Sequence, residues 1–308
     1  MSPIARTPFT DLPPDLVREL DGCGLDPGRV YDHVVLAVEE DLPDGDVTSE
    51  ATIPTGFTAW ADVTARADGV VAGLAVAELV FRFVLGGSAD PSRKAVDGTR
   101  VTRGDVLLSV HGPVGLLLTA ERTALNYLCH LSGVATTTGR WVSELTGTGA
   151  QVRDTRKTLP HFRALEKYAV RCGGGVNHRG SLSDQALVKD NHVLAAGGVV
   201  SAYQAVKQRY PTVRVQVEVT TLDQLRELLE VGADEVLLDN MTTEQMAQAV
   251  SVNAGRARLE ASGGLTLDRA AEVARTGVDY LAVGALTHSA PVLDIAMDLR
   301  GPAGQRGS

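Results

Sequence analysis

Residues 213–264 read VRVQVEVTTLDQLRELLEVGADEVLLDNMTTEQMAQAVSVNAGRARLEASGG. Runs with the pattern of buried strands begin at Val213, Glu235 and Arg258, so successive runs start 22 and 23 residues apart. Amphipathic helical segments occupy 222–231 and 243–252, and a glycine stands three residues before each following run. This order of strand, helix, glycine and strand predicts a parallel sheet built from βα units.

Three further strand-like runs extend this pattern, at 151–155, 186–190 and 280–286, and another amphipathic helix is predicted at 267–275. So many successive units favour a barrel over a doubly wound sheet. No GxGxxG turn follows any of the strands, which weakens the dinucleotide-binding alternative.

The residues before this region show no repeat. The pattern predicts a strand at 57–67 and helices at 30–41 and 74–85. Two short strands are expected within 99–110, and the sequence His111-Gly112-Pro113 is expected to end them. The apolar stretch 114–145 predicts two long, largely buried helices with a break at Gly133.

Composition and charge exclude several classes of protein. The chain has 308 residues, of which 44% are hydrophobic and 22% charged, values typical of a globular enzyme. Its net charge of −9 argues against a nucleic-acid or membrane-surface partner. Three separated cysteines suggest neither disulfides nor zinc, and the chain shows no signal peptide and no apolar run of spanning length. We therefore expect a cytoplasmic protein.

One stretch has the opposite charge. Residues 153–190 contain eight Lys or Arg and four Asp or Glu, so this stretch carries about +4. The cations cluster next to predicted strand ends, which favours a pocket for an anionic ligand. Ordinary surface charge is the alternative interpretation.

Polar residues follow almost every predicted strand. In a β/α barrel the active site lies at these carboxyl ends, although any single polar residue there could simply cap a strand. Cations suited to carboxylates and phosphates are Arg156, Lys157, His178, Arg179 and Lys189.

The remaining candidates are two carboxylates and two glycine-containing turns. Glu218 and Asp239, on consecutive strands, are oxygen ligands suited to Mg²⁺ beside a phosphate-bearing substrate; ion pairs with Lys157 and Lys189 are the alternative. The last two strands end in turns that resemble a backbone phosphate cradle, formed by Ser262, Gly263, Gly264 and Gly284. These residues indicate a magnesium-assisted enzyme that acts on a phosphorylated substrate and a carboxylate-bearing one.

The chain resembles the quinolinate phosphoribosyltransferase family in ordered motifs along nearly its whole length. The motifs are GDVTSE (45–50), TAERTALN (119–126), DTRKTLP (154–160), GGGVNHRGSLSD (173–184), VKDNH (188–192), VEVTT (217–221), LLDNM (237–241), EASGG (260–264) and VGALTHSAP (283–291).

The resemblance implies an α/β fold with two domains. Residues 1–130 would form an N-terminal α/β sandwich domain, joined by the C-terminal segment 291–308, and residues 131–290 an incomplete β/α barrel of the type II phosphoribosyltransferase fold. The implied reaction converts quinolinate and phosphoribosyl pyrophosphate, with Mg²⁺, to nicotinate mononucleotide, pyrophosphate and carbon dioxide. This reaction belongs to de novo NAD biosynthesis. The family works as a homodimer with a shared active site.

The resemblance also implies residue roles. Arg156, His178 and Arg179 would hold the two carboxylates of quinolinate, and Arg122 would come from the neighbouring subunit; from the sequence alone, Arg122 could equally pair with Glu121 or extend its charge to solvent. Lys157 and Lys189 would contact both substrates and the pyrophosphate. Glu218 and Asp239 would serve the magnesium and the ribose hydroxyls, while Ser262, Gly263, Gly264, Gly284 and His288 would bind phosphate.

Three alternatives remain open. One is a phosphoribosyltransferase of the same fold that uses nicotinate or another aromatic acid, although two carboxylate clamps speak against a monocarboxylate. Another is a barrel lyase or aldolase in which Lys157 or Lys189 forms a Schiff base. The third is a non-catalytic binding protein. Binding alone would not explain why the lysines, the carboxylates and the phosphate cradle occur together.

Overall fold

The computed structural model describes residues 4–300 of the chain. These residues divide into two compact units, one comprising residues 4–136, 164–173 and 290–300 and the other comprising residues 137–163 and 174–289. Of the segment 291–308 expected to join the N-terminal domain, residues 301–308 lie outside the described residues.

The first unit is built on an antiparallel sheet of four strands, β12-β1-β5-β3. Its strands, with the short pair β2 and β4, are β1 (Thr58–Ala65), β2 (Gly69–Val70), β3 (Asp90–Arg93), β4 (Arg100–Val101), β5 (Val106–Pro113) and β12 (Ile295–Leu299). β5 continues through His111 and Gly112 because these residues pair with Trp60 and Ala59 of β1, so the predicted strand break at this point is wrong.

Helices complete this unit. They are α1 (Pro14–Gly22), α2 (Pro27–Asp41), α3 (Val47–Thr52), α4 (Leu74–Leu85), most of α5 (Val114–Glu144), α6 (Arg163–Cys172, from Ala164 onward) and the 3-10 turns Phe9–Asp11 and Gly86–Ser88. Almost all of α4 is buried, as its apolar sequence requires. A helix-covered antiparallel sheet is the sandwich that the sequence analysis predicted.

α5 is one continuous helix of 31 residues, so the predicted break at Gly133 is wrong. A Cβ atom at this position would lie 2.2 Å from the carbonyl oxygen of Pro291. The glycine therefore permits close packing of two backbone segments and does not end the helix.

The second unit contains six parallel strands in the order β6-β11-β10-β9-β8-β7. They are β6 (Gln151–Arg153), β7 (Gln185–Val188), β8 (Arg214–Val219), β9 (Glu235–Asp239), β10 (Arg258–Ser262) and β11 (Tyr280–Ala282). β9 and β10 begin at the predicted residues, Glu235 and Arg258, whereas β11 ends four residues before the end of the predicted run because a helical turn begins at Ala285. No ladder joins β6 to β7 within residues 4–300, so the barrel is incomplete, as predicted.

The helices of this unit are α7 (Asp190–Ala196), α8 (Val199–Arg209), α9 (Leu222–Glu230), α10 (Thr243–Asn253), α11 (Ala270–Ala274), α12 (Ala285–His288) and the 3-10 turn Leu267–Arg269. Capping boxes fix where α9 and α10 begin: the side chains of Thr221 and Thr242 accept hydrogen bonds from the main-chain N–H groups of Gln224 and Gln245. No described helix in either unit is both apolar enough and long enough to cross a membrane.

The strands of this unit bury several polar side chains: Arg153, Gln185, Gln216, Glu235 and Glu260. Each has a polar partner: Gln185 donates to Glu235 over 2.6 Å, Arg153 donates to Glu260 over 2.7 Å, and Oε1 of Gln216 lies 2.8 Å from Nε2 of His178. Pairing is what makes buried polar groups tolerable in a protein interior.

Candidate active site

A cavity of about 640 Å³ lies at the carboxyl ends of the parallel strands in the second unit. All but one of the predicted site residues line it, namely Arg156, Lys157, His178, Arg179, Lys189, Glu218, Asp239, Ser262, Gly263, Gly264, Gly284 and His288. Residues far apart in sequence thus face one space, because parallel strands place their carboxyl ends at the same edge.

Arg122 is not a lining residue of this cavity. It lies on α5 in the first unit, where its side chain is exposed and forms no salt bridge within the described part of the chain. The ion pair with Glu121 that the sequence allowed is therefore absent, although the charge of Arg122 does act on the pKa of Glu121, which burial raises.

Arg156 and Arg179 bring two guanidinium groups to one part of the cavity. The pKa of Arg179 is lowered, first by burial and then by the positive charge of Arg156. Nε of Arg156 is buried and has no hydrogen-bond partner among the described residues. An unsatisfied buried donor beside a second cation is the arrangement that an anion would complete.

His178 is buried against the wall of the cavity. Its Nδ1 accepts a 2.6 Å hydrogen bond from the main-chain N–H of Arg179, so in the neutral ring Nε2 carries the proton and donates to Oε1 of Gln216 over 2.8 Å. Asp154 holds the main-chain N–H of His178 over 2.8 Å. These contacts fix the imidazole beside the main chain of Arg179.

Sequence reasoning missed Glu260 as a member of this wall. Its Oε2 accepts from Arg153, while its Oε1 lies 3.5 Å from Nε2 of His178 and has no hydrogen-bond partner in residues 4–300. Burial raises the pKa of Glu260, but His178 and Arg153 outweigh burial and bring it below its usual value. The motif EASGG contains this residue, but the pattern of a strand does not indicate which of its side chains will line a cavity.

Lys157 and Lys189 extend into the cavity from the loops after β6 and β7, and both are exposed. The main-chain carbonyl of Lys157 accepts a 2.7 Å hydrogen bond from Thr287, which ties its loop to α12. No salt bridge joins either lysine to Glu218 or Asp239 in the described structure, so the ion pairs considered from the sequence do not form. All four charges remain available to a ligand.

Glu218 and Asp239 face the cavity from adjacent strands. Glu218 pairs with Leu237, so Asp239 stands two residues further along β9 on the same face of the sheet. The pKa of Glu218 is raised, first by burial and then by the negative charge of Asp239. Two carboxylates that repel each other in this way form a donor set suited to a hard divalent cation.

Glycines shape the part of the cavity that follows β10 and β11. Gly263 adopts a φ of +91°, and a Cβ atom there would lie 2.2 Å from Oδ1 of Asn240, so no other residue fits without displacing its neighbour. Gly284 stands close to Lys157 and to Nε2 of His288. Exposed main chain next to a lysine and a histidine can accommodate a phosphate group.

Two family descriptions together match most of this chain. Residues 46–132 match the family described as quinolinate phosphoribosyl transferase, N-terminal domain, and residues 134–298 match its C-terminal domain. A protein of Mycobacterium leprae (strain TN) named nicotinate-nucleotide pyrophosphorylase (carboxylating) is 49% identical over 91% of this chain and 100% of its own length. A quinolinate phosphoribosyltransferase (decarboxylating) of Nicotiana glauca is 38% identical over 86% of this chain and 80% of its own.

Solved structures show the same architecture. The nicotinate-nucleotide pyrophosphorylase from Francisella tularensis has a TM-score of 0.85 and 33% identity, and the match covers 96% of this chain and 99% of that one. NadC from Streptococcus pyogenes has a TM-score of 0.85 and 39% identity, with 89% of this chain and 97% of that one covered.

Proposed function

The chain belongs to the quinolinate phosphoribosyltransferase family, and from this membership we propose how its cavity carries out the reaction. The substrates are quinolinate and phosphoribosyl pyrophosphate, and the products are nicotinate mononucleotide, pyrophosphate and carbon dioxide. The enzyme is thus a pentosyltransferase, a nicotinate-nucleotide diphosphorylase of the carboxylating class, and it supplies NAD biosynthesis.

The observation that carries this proposal is the pair of guanidinium groups of Arg156 and Arg179. Quinolinate bears two adjacent carboxylates, and two forked cations facing one space match a dianion better than a monoanion. The unpartnered Nε of Arg156 supplies a donor ready for one of them. His178 closes this end of the cavity through its contacts with Gln216 and Arg179.

The phosphoribosyl pyrophosphate would occupy the remainder of the cavity. We propose that Lys157 and Lys189 contact its pyrophosphate, and that Ser262, Gly263, Gly264, Gly284 and His288 surround its 5′-phosphate. Glu218 and Asp239 would hold Mg²⁺ and the ribose hydroxyls. Two carboxylates suit this ion because Mg²⁺ commonly binds through one or two carboxylates together with substrate oxygens and water.

The first step forms the bond between the ring nitrogen of quinolinate and C1 of the ribose. The bond from C1 to the pyrophosphate oxygen breaks, and the pyrophosphate leaves with the electron pair. Lys157 and Lys189 stabilise the growing negative charge, and Glu218 stabilises the cationic character of the ribose. Bound magnesium would add further charge neutralisation at the pyrophosphate. No covalent enzyme intermediate is required.

The second step releases carbon dioxide. The alkylated ring nitrogen is positive, so when the bond to the adjacent carboxylate breaks, the electron pair remains on a ring carbon next to a positive charge. A proton from solvent then completes nicotinate mononucleotide. The task of Arg156 and Arg179 here is to hold the ring in place, because positioning supplies much of the advantage of an enzyme over free solution.

We further propose a cytoplasmic homodimer in which Arg122 of one subunit completes the site of the other. The exposure of Arg122 and its lack of a salt bridge in the described part of the chain support this role, and the three free cysteines are consistent with a reducing compartment. Mixing an Arg122→Ala chain with an Arg156→Ala chain tests the shared site. Each parent would be inactive and the hybrid would recover activity at one site; hybrids as inactive as their parents would contradict sharing.

Product analysis tests the reaction itself. The purified protein is incubated with phosphoribosyl pyrophosphate and magnesium, with quinolinate in one tube and nicotinate in another. Nicotinate mononucleotide and carbon dioxide from the quinolinate tube alone are expected. Product only from nicotinate would overturn the substrate assignment, and no product from either tube would overturn the proposed reaction.

A further inference from the structure

Arg163 lies outside the set of cavity-lining residues, yet it touches the main chain of the loops that carry the two arginines. Its Nη1 donates to the carbonyl oxygen of Gly180 over 3.0 Å, and its Nη2 lies 3.5 Å from the carbonyl oxygen of Arg156. Its Nε donates to Oγ1 of Thr158 over 3.1 Å. One guanidinium therefore links residues 156–158 to residue 180.

Two of these acceptors are main-chain carbonyl oxygens at or next to the two arginines of the cavity. One carbonyl belongs to Arg156 itself, and the other belongs to the residue directly after Arg179. The turn that follows Arg179 is closed by Asp184, whose carboxylate accepts hydrogen bonds from the N–H groups of Gly180 and Ser181. Asp184 therefore orders this turn independently of Arg163. The hydrogen bond from Arg163 to the carbonyl oxygen of Gly180 then restrains the position of the neighbouring residue, Arg179.

The two arginines need such a restraint. Arg156 and Arg179 are close enough for the charge of one to lower the pKa of the other, so in the absence of an anion they repel each other. The planar guanidinium of Arg163 presents its donors in a fixed geometry, whereas a lysine in its place would offer one mobile ammonium group.

We propose that Arg163 is a positioning residue that sets the separation of Arg156 and Arg179, and through it the recognition of the two carboxylates of the substrate. This inference rests on the proposed function, because it assumes that the two arginines bind quinolinate. It extends that function to a residue that does not line the cavity.

Steady-state kinetics of the full-length enzyme with the variants Arg163→Met and Arg163→Lys provide the first test. Both are expected to raise the KM for quinolinate by about tenfold or more, a loss of roughly 1.4 kcal/mol. The KM for phosphoribosyl pyrophosphate is expected to stay within about twofold of the wild type. Arg171→Met is the matched control, because Arg171 lies on the same helix and also donates to a main-chain carbonyl, that of Cys23. Its KM values should equal those of the wild type.

Hydrogen exchange of the ligand-free protein provides a readout that does not depend on activity. In Arg163→Lys the amides of 155–162 and 179–184 should exchange faster, while those of β8 to β10 remain unchanged. If both KM values rise equally, or if neither the KM for quinolinate nor the exchange of these loops changes, the proposal is overturned. A wild-type enzyme that does not use quinolinate would instead refute the proposed function, and faster loop exchange in the variant would still establish the positioning contact.

Discussion

Nη1 of Arg153 lies 2.7 Å from Oε2 of Glu260, and both side chains are almost wholly buried. The pair spans β11, whose Tyr280 ring lies under the guanidinium at 4.4 Å. Removing one partner leaves a buried charge without its counterion, which costs about 3–5 kcal/mol. We expect Arg153→Met to lower the free energy of unfolding by that amount, measured by urea denaturation. The double variant Arg153→Met/Glu260→Leu should be more stable than Arg153→Met; equal or lower stability would contradict the pairing.

Acid should remove the contribution of Glu260. Its folded-state pKa lies below its usual value, so the stability it provides is fully present above the unfolded pKa of about 4.3 and is lost as the pH falls through the lower folded value. Glu260→Gln should therefore be less stable than the wild type at pH 7, and the difference should shrink below about pH 4. Denaturation curves between pH 3 and 7 measure this difference. A gap that stays constant with pH would contradict the lowered pKa.

Glu218 should behave in the opposite sense. Burial and Asp239 raise its pKa, so its ionisation at neutral pH works against folding, and this penalty disappears below the unfolded pKa. Glu218→Gln is expected to raise the Tm of the ligand-free enzyme by about 1–4 °C at pH 7, with no gain near pH 4, and to abolish most turnover. Glu227→Gln, on the exposed face of α9, serves as the control and should change neither quantity. A lower Tm for Glu218→Gln at pH 7 would contradict the raised pKa.

Gly133 should not tolerate a methyl group. In Gly133→Ala the new Cβ would approach the carbonyl oxygen of Pro291 to 2.2 Å and Cα of Val292 to 2.8 Å, so backbone must shift. Such overpacking costs about 1–3 kcal/mol even though alanine favours helix. Gly22→Ala is the matched helical control, because no atom lies within 4 Å of its added Cβ. Thermal unfolding should separate the two variants, and equal Tm values would refute the close approach.

Lys157 is expected to act on the reaction more than on stability. Lys157→Ala should lower kcat by about 10²- to 10³-fold through lost stabilisation of the leaving pyrophosphate. Its Tm should change little, since the side chain is exposed. Lys207→Ala removes a lysine from the same unit, where it lies over the ring of Tyr203, and should leave kcat unchanged. Near-normal turnover in Lys157→Ala would remove this residue from the proposed mechanism.

Periodicity predicted much of the barrel unit because its helices and strands are regular. β9 and β10 coincide with short runs of consecutively buried residues, and the threonines that start α9 and α10 are recognisable capping signals in the sequence. The shared cavity could be predicted in part for the same reason, since Lys189, Asp239 and Ser262 lie at or directly after the carboxyl ends of strands, and these ends must converge.

The remaining features depend on tertiary neighbours that a single sequence does not display. Gly133 has the composition of a helix break, but its function follows from Pro291, 158 positions later. Glu260 and Gln216 lie within strands, where polar residues usually indicate a solvent-facing side. Here both are buried, and their partners are Arg153 and His178 respectively. Arg163 reads as an ordinary cation of a basic stretch, and only its three acceptors show what it holds.

The position of β12 has a consequence for biosynthesis. This strand pairs with the outer edge of β1, although the ribosome adds it roughly 230 residues later. At about 5–20 residues per second, β1 therefore waits roughly 10–50 s for its partner. Throughout that interval the nascent chain displays an open strand edge to which another chain can add. The edge of β1 is covered only after β12 has been synthesised and has paired with it.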